Sequence, residues 1–215
     1  MGAVAELVSR KFKIPLVTNY HTALINFIRL IINSKDSRFF YMRNKWMRKF
    51  SHKVLDIVSY PAFYYYFDDS DLVISPSEFV TEELVNHGIE KKRIVKIPNF
   101  VRKPEKMMRG EEFREKWGID GFMLLHVGRL SWEKRIEKAI EAVSKVEGVQ
   151  LVITSKGPYG KELREYARKI GANVLFTGFL PEHELFGAYE ACDAFITPSI
   201  YDTFNISAAQ AAYFG

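Results

Sequence analysis

The chain has 215 residues, and 47% of them are apolar, so it can bury one large core or two small ones. Its single cysteine, Cys192, excludes an internal disulfide and fits a reducing compartment. No apolar stretch approaches the roughly 18 residues that a transmembrane helix needs. The start of the chain also lacks the basic-then-apolar order of a secretory signal. These features predict a cytoplasmic globular protein.

The net charge of +5 is unevenly distributed. Residues 38–53 contain no acidic side chain, and aromatic residues are interleaved with their cations. Such a segment, when helical, can lie on an anionic membrane surface, here the inner face of the membrane. The alternative is a solvated helix that packs one face on its own domain. No nucleic-acid-binding motif is present, so nucleic acid is not an expected partner. The cations are Arg38, Arg43, Lys45, Arg48, Lys49 and Lys53.

The first hundred residues predict strands alternating with helices. Ser77 is a favourable helix N-cap, and Gly88 is a typical helix stop. Residues 98–112 contain two prolines and a run of charges, which is typical of a linker. We therefore predict a domain boundary between residues 104 and 105. The expected elements are a helix over 2–12, strands over 15–19, 72–75 and 94–97, and a capped helix that ends at Gly88.

From residue 122 onward the alternation becomes regular. Short apolar runs predict buried strands over 122–127, 150–154, 173–177 and 194–197. Helical stretches lie between them, and strands joined by short helical connections form a parallel sheet with right-handed crossovers. This half is therefore predicted to be Rossmann-like. The apolar face of its first helix consists of Ile136, Ala139, Ile140, Val143 and Val146.

The segment that follows the strand over residues 122–127 has the features of an anion site. Gly128 permits close approach to the backbone, and Arg129 and Lys134 supply two cations at the start of a helix. Ligands of open parallel sheets bind at the carboxyl ends of the strands. The segment therefore suits a diphosphate, especially one that gains negative charge as it leaves. The alternative is that these cations are simply solvated at the surface.

Short motifs distributed along the chain resemble the retaining GT-B glycosyltransferases of family 4, also called group 1. The resemblance implies an α/β fold with two Rossmann-like domains of GT-B type, both incomplete in this chain. Residues 1–104 would form the acceptor-side domain, and residues 105–215 would form the domain that binds a nucleotide sugar. The motifs are, in chain order, Asn19-Tyr-His-Thr22, Ile74-Ser-Pro-Ser77, Ile97-Pro-Asn99, Gly128-Arg-Leu-x-x-Glu-Lys134, Lys156-Gly-Pro158, Thr177-Gly-Phe179, Thr197-Pro-Ser199 and a terminal motif over residues 202–210.

The resemblance implies a role for each matching residue. Arg129 and Lys134 would bind the donor diphosphate and stabilise the leaving group, so no metal and no cofactor is expected. Asp202 would hold hydroxyls of the donor sugar, and Gln210 would hold the ribose. His21 would lie near the transferred sugar from the acceptor-side domain. The full set of expected donor-binding residues is Gly128, Arg129, Lys134, Gly157, Asp202, Phe204, Asn205 and Gln210.

The expected substrates are a UDP-, GDP- or ADP-linked sugar and a sugar or lipid-linked hydroxyl acceptor. Five residues depart from the family pattern, and two of them, Phe100 and Arg102, stand where a family loop usually carries glycine and aspartate. Asp202 and Gln210 stand where the family has two glutamates, and Asn205 stands where it usually has glycine, which asparagine can replace in left-handed geometry.

These departures leave a second hypothesis, a truncated and catalytically silent binding or interaction module. A GT-B enzyme of the pyridoxal phosphate type has no supporting lysine motif. Apolar helix faces that the incomplete domains would expose favour either a homodimer or a requirement for the missing parts of the domains.

Overall fold

The computed structural model describes residues 2–21, 28, 50, 51, 53, 54, 57, 67, 69–102 and 104–215. The basic segment over residues 38–53 lies outside the described residues, apart from residues 50, 51 and 53. The chain divides into two compact units, Met1–Asn99 and Phe100–Gly215. The boundary expected between residues 104 and 105 stays a prediction.

Among the described residues of the first unit, three strands form a parallel sheet in the order β1-β2-β3. Val17 pairs with Leu72 across the first two strands, and Val73 pairs with Ile94 across the next two. The sequence predicted the bounds of α1 and β2 as the structure has them, and it made β1 and β3 slightly too long. The elements whose bounds lie within the described residues are α1 (Gly2–Phe12), β1 (Val17–Asn19), β2 (Leu72–Ser75), α2 (Glu78–Asn86), a 3-10 turn (Lys91–Arg93) and β3 (Ile94–Lys96).

Helix α2 begins and ends as its sequence signals predict. The Ser77 hydroxyl accepts a hydrogen bond from the Val80 amide at 3.3 Å, which satisfies one of the free amides of the first turn. Gly88 takes the left-handed conformation, with φ of 90°, directly after the helix. Val80 and Leu84 lie on the face that packs against the sheet, and both are fully buried. The predicted capped helix is therefore confirmed.

The second unit contains a four-stranded parallel sheet in the order β6-β5-β4-β7. Strand β4 has the predicted bounds, and β5 and β6 differ from the prediction by one residue. Strand β7 is shorter than predicted, because only two of its residues pair with β4. The elements are α3 (Gly110–Trp117), β4 (Phe122–Val127), a 3-10 turn (Trp132–Lys134), α4 (Ile136–Val143), β5 (Val149–Thr154), α5 (Gly160–Lys169), β6 (Val174–Gly178), α6 (Glu182–Ala191), β7 (Ala194–Phe195) and α7 (Ile206–Phe214).

Apolar side chains are buried on both faces of this sheet. Successive residues of a strand point to opposite faces. Leu151 accordingly packs in the cluster formed with α4 and α5, whereas Val152 packs in the cluster formed with α3 and α6. Val146 was predicted to extend the apolar face of α4, but it follows the end of the helix and is exposed. Helices thus cover both faces, as expected of a Rossmann-like domain.

Helix α3 begins inside the predicted linker. The Gly110 amide donates to a Glu190 carboxylate oxygen at 2.6 Å, and this bond fastens the start of α3 to α6. A methyl group at Gly110 would lie 2.9 Å from the Ala191 nitrogen, so the two helices need glycine here to approach this closely. Within the described part of the chain, no helix has the length and apolar character needed to cross a membrane.

Candidate functional site

The strand order of the second unit reverses between β4 and β7. The chain passes from β4 to β5 and β6 on one side, whereas β7 pairs with the other edge of β4. Ligands of open α/β sheets bind outside the carboxyl ends of the strands at such a reversal. The segments that follow β4 and β7, residues 128–135 and 196–205, leave the sheet at this edge. They therefore form the candidate site.

The segment after β4 is fixed by Leu130. This side chain is buried, its amide donates to the Lys156 carbonyl at 3.3 Å, and its carbonyl accepts from the Tyr159 amide at 3.0 Å. A methyl group at Gly157 would lie 2.3 Å from the Leu130 oxygen. Glycine is therefore required at residue 157 for the loop after β5 to pack against Leu130. Its expected role in donor binding stays a prediction.

Lys134 and Asp202 form an ion pair between the two segments. The Lys134 ammonium donates to Asp202 Oδ1 at 2.7 Å, although the residues are 68 positions apart. Their side chains are only 20% and 28% exposed. A second bridge runs from the Ile200 amide to the Glu133 carbonyl at 3.1 Å. The cation expected to bind diphosphate and the carboxylate expected to bind sugar thus lie in one site.

Asn205 supports the same carboxylate. Its amide nitrogen donates to Asp202 Oδ2 at 3.2 Å and to Thr197 Oγ1 at 3.0 Å. Its amide oxygen accepts from the Ala208 amide at 3.0 Å and so caps α7. The expectation that Asn205 replaces glycine in left-handed geometry is wrong, because its φ is −39°. The asparagine is explained by the hydrogen bonds of its side chain.

Arg129 and Gly128 lie on the open side of the segment after β4. Arg129 is exposed, and its side chain makes no ion pair with the described residues. A methyl group at Gly128 would contact only the His126 ring, with its nearest atom at 3.5 Å. Among the described residues, no other atom lies within 4 Å of the position of that methyl group. A ligand could reach this backbone and the Arg129 guanidinium together.

His126 belongs to this site, although it was not among the residues expected from the sequence. The ring is 1% exposed, and Nδ1 donates to the Ile196 carbonyl at 3.0 Å, which joins the ends of β4 and β7. Its Nε2 atom is buried and has no hydrogen-bond partner among the described residues. Burial holds the pKa of His126 below its usual value, and nearby Lys134 lowers this pKa further. The available signal was a histidine two residues before the Gly128-Arg129 pair.

Gln210 and Phe204 belong to the part of the chain that follows β7. Gln210 is on α7, and its side-chain oxygen accepts a hydrogen bond from the Tyr189 hydroxyl at 3.0 Å. Burial raises the pKa of Tyr189, so the phenol keeps its proton. Phe204 is half-buried in the turn before Asn205. Contacts of Gln210 with ribose and of the Phe204 amides with the donor stay predictions.

His21 lies in the first unit. It follows the carboxyl end of β1 by two residues and is exposed. The carboxyl ends of parallel strands are the usual position of ligand-binding residues in such sheets, which agrees with the expected role. Within the described ranges, no three His, Cys, Asp or Glu side chains are grouped so that they could hold a metal ion.

Two family models match nearly the whole chain. The model described as "Glycosyltransferase Family 4" matches residues 1–103, and the model described as "Glycosyl transferases group 1" matches residues 109–215. The chain belongs to the family 4, group 1 type of glycosyltransferases. The family resemblance found in the sequence motifs is therefore confirmed.

Several relatives of this glycosyltransferase chain carry specific names. It is 30% identical over 219 residues to alpha-monoglucosyldiacylglycerol synthase of Streptococcus pneumoniae, with 94% of this chain and 45% of the relative covered. It is 28% identical over 146 residues to a GDP-mannose-dependent alpha-(1-6)-phosphatidylinositol dimannoside mannosyltransferase of Mycobacterium tuberculosis, with 65% and 38% covered. The chain thus spans less than half of the length of these two relatives.

Solved structures confirm the fold of this glycosyltransferase chain. Anabaena Alr3699/HepE, crystallised with UDP and glucose, matches with a TM-score of 0.70 and 18% identity. The match covers 99% of this chain and 54% of that structure. At this identity the likeness concerns the fold alone, and it supports the α/β architecture of GT-B type with two Rossmann-like halves.

Proposed function

We propose that the chain binds a nucleotide sugar at the carboxyl edge of β4 and β7 and transfers the sugar to a hydroxyl acceptor with retention of anomeric configuration. The observation that carries this proposal is the 2.7 Å ion pair between Lys134 and Asp202. It places an ammonium group, which can bind a diphosphate, beside a carboxylate, which can bind sugar hydroxyls. Family membership and the transferase names of the relatives support the same function.

The residues of the site suit departure of a diphosphate. The bond between the anomeric carbon and the phosphate oxygen breaks, and negative charge accumulates on the diphosphate. The exposed Arg129 guanidinium can bind phosphate oxygens in bidentate fashion, and Lys134 adds a second cation. Such paired cations can neutralise the leaving group in place of a metal ion.

Retention follows if the acceptor attacks the face from which the diphosphate departs. The acceptor oxygen then forms the new bond to the anomeric carbon, and its proton passes to the departing phosphate oxygen. No protein nucleophile is required in this scheme. Asp202 would orient the sugar through its hydroxyls, Gln210 would bind ribose, and His21 would contact the sugar from the acceptor-side domain.

The donor is proposed to be a UDP-, GDP- or ADP-linked hexose, and the acceptor a membrane lipid. A lipid acceptor is supported by two relatives whose names contain monoglucosyldiacylglycerol and phosphatidylinositol dimannoside. The basic, aromatic sequence over residues 38–53 provides a suitable contact with the inner face of the membrane. The relatives do not favour the silent binding module over a transferase, because those named above are a synthase and a mannosyltransferase. A homodimer stays a prediction.

The transfer proposal is tested by incubating the chain with UDP-glucose, GDP-mannose or ADP-glucose and vesicles that contain diacylglycerol or phosphatidylinositol. We expect one donor to yield a glycolipid whose anomeric configuration, determined by NMR, equals that of the donor. Lys134→Met is the matched inactive control. An inverted product would contradict retention. Donor binding without any product would instead favour a silent binding module.

The membrane contact is tested separately by co-sedimentation with anionic vesicles. Replacing the six cations of residues 38–53 by glutamine should release the chain into the supernatant at moderate salt, because each basic residue near the surface contributes about 1 kcal/mol. Replacement of six exposed cations outside this segment is the charge-matched control: Lys91, Lys92, Lys145, Lys161, Arg168 and Lys169. Equal sedimentation of the wild type and the first variant would refute the contact.

A further inference from the structure

Two residues that depart from the family pattern contact each other. Asp202 stands where glutamate is expected, and Asn205 stands where glycine is expected, yet the Asn205 amide donates to Asp202 Oδ2 at 3.2 Å. The shorter acidic side chain places its carboxylate closer to its own backbone. The longer side chain at residue 205 supplies a donor at that place.

Asn205 is itself held in position by its other hydrogen bonds. Its oxygen accepts from the Ala208 amide at 3.0 Å, and its nitrogen also donates to Thr197 Oγ1 at 3.0 Å. The side chain therefore connects the end of β7, the turn before α7 and the first turn of α7. A group fixed at both ends of its amide is a rigid support for the carboxylate beside it.

The two oxygens of Asp202 have different partners. Oδ2 accepts from Asn205, an uncharged residue of the same segment, whereas Oδ1 accepts from the Lys134 ammonium of the other segment at 2.7 Å. A diphosphate bound at Gly128 and Arg129 would compete for Lys134, since phosphate oxygens are strong acceptors for ammonium groups. The bond to Asn205 is not subject to this competition.

We propose that Asn205 is a positioning residue that holds Asp202 through Oδ2, so that Oδ1 accepts a donor-sugar hydroxyl once the diphosphate has drawn Lys134 away. The inference rests on the proposed function and concerns the sugar part of the donor. Asp202 and Asn205 together then do what one glutamate does in the family pattern. The pair should respond to mutation as a unit.

The test compares, by calorimetry, the affinities of the wild-type chain and three variants for a nucleoside diphosphate and for the matching nucleotide sugar. Asn205→Ser keeps a helix-capping oxygen but removes the amide donor. We expect it to weaken nucleotide-sugar binding on the order of fivefold to tenfold, with diphosphate affinity changed less than about twofold. Asp202→Glu alone should also weaken sugar binding. The double variant should recover most of the loss, because the longer acid no longer needs the support.

Unfolding midpoints of the wild type and the three variants establish that each protein is folded. An equal effect of Asn205→Ser on both ligands, or no effect on either, would overturn the positioning role while leaving the proposed function intact. Additive losses in the double variant would also overturn it. A wild-type chain that binds neither ligand would contradict the proposed function and this inference together.

Discussion

The Lys134 ammonium and Asp202 Oδ1 lie 2.7 Å apart and join the segments that follow β4 and β7. A half-buried ion pair at this edge contributes to stability as well as to the proposed site. Lys134→Met and Asp202→Asn should each lower the free energy of unfolding by about 1 kcal/mol, and the double variant should lose less than their sum. Urea unfolding of the four proteins measures a coupling expected to be about 0.5–1 kcal/mol. A coupling of zero would mean that the pair does not persist in solution.

Arg129 should behave differently, because its exposed side chain forms no ion pair with the described residues. Arg129→Ala is expected to change the free energy of unfolding by less than about 0.5 kcal/mol. The same variant should weaken nucleoside diphosphate binding at least on the order of tenfold. Urea unfolding and calorimetry measure the two effects. A large loss of stability with unchanged binding would assign Arg129 to the fold.

Two glycines of the site should have opposite phenotypes. Gly157→Ala places a methyl group 2.3 Å from the Leu130 oxygen, so it should destabilise the second unit by roughly 1–3 kcal/mol. Gly128→Ala meets only the His126 ring at 3.5 Å, so it should fold normally and impair nucleotide binding. Thermal unfolding and calorimetry distinguish the two variants. Equal stability of the two variants would refute the close packing of Gly157 against Leu130.

The buried His126 ring predicts a dependence of stability on pH. Burial lowers the folded-state pKa of His126 below the usual 6.5. The unfolded chain therefore binds a proton at a higher pH than the folded chain does. The contribution to stability is present above about pH 6.5 and is lost as the pH falls below this value.

His126→Asn tests this dependence, because asparagine can keep the bond to the Ile196 carbonyl and does not titrate. Urea unfolding at pH 7.5 and at pH 5 should show a smaller decrease in the free energy of unfolding for the variant than for the wild type. Each unit of difference between the folded and unfolded pKa of His126 contributes about 1.4 kcal/mol to this decrease. Parallel curves for the two proteins would exclude His126 as the source of the decrease.

Elements that depend on local sequence were predictable. The bounds of α1, β2 and β4 follow from apolar patterning, and the caps of α2 follow from Ser77 and Gly88. The length of β7 was not predictable, because only its pairing with β4 decides where it ends. Edge positions of this kind depend on tertiary contacts rather than on local preference.

The chemistry of the site was predictable from motifs, but its internal contacts were not. The side-chain chemistry and motif positions of Arg129, Lys134 and Asp202 indicated a site for a diphosphate and a sugar before any geometry was known. The bonds between Lys134 and Asp202, and between His126 and Ile196, join residues about 70 positions apart, which a single sequence does not reveal. Asn205 was misread because its side chain, not its backbone conformation, explains its presence.

The proposed transfer depends on nucleotide binding at the carboxyl edge of β4 and β7. Thermal unfolding of the purified chain with millimolar UDP, GDP or ADP tests it most directly. Ligand at about 100 times its dissociation constant stabilises a protein by roughly 2.7 kcal/mol, which corresponds to several degrees. We expect the unfolding temperature to rise with the nucleotide of one base only, and this rise to be lost in Arg129→Ala. Cooperative unfolding of the wild type at one temperature, whichever nucleotide is present, would contradict it.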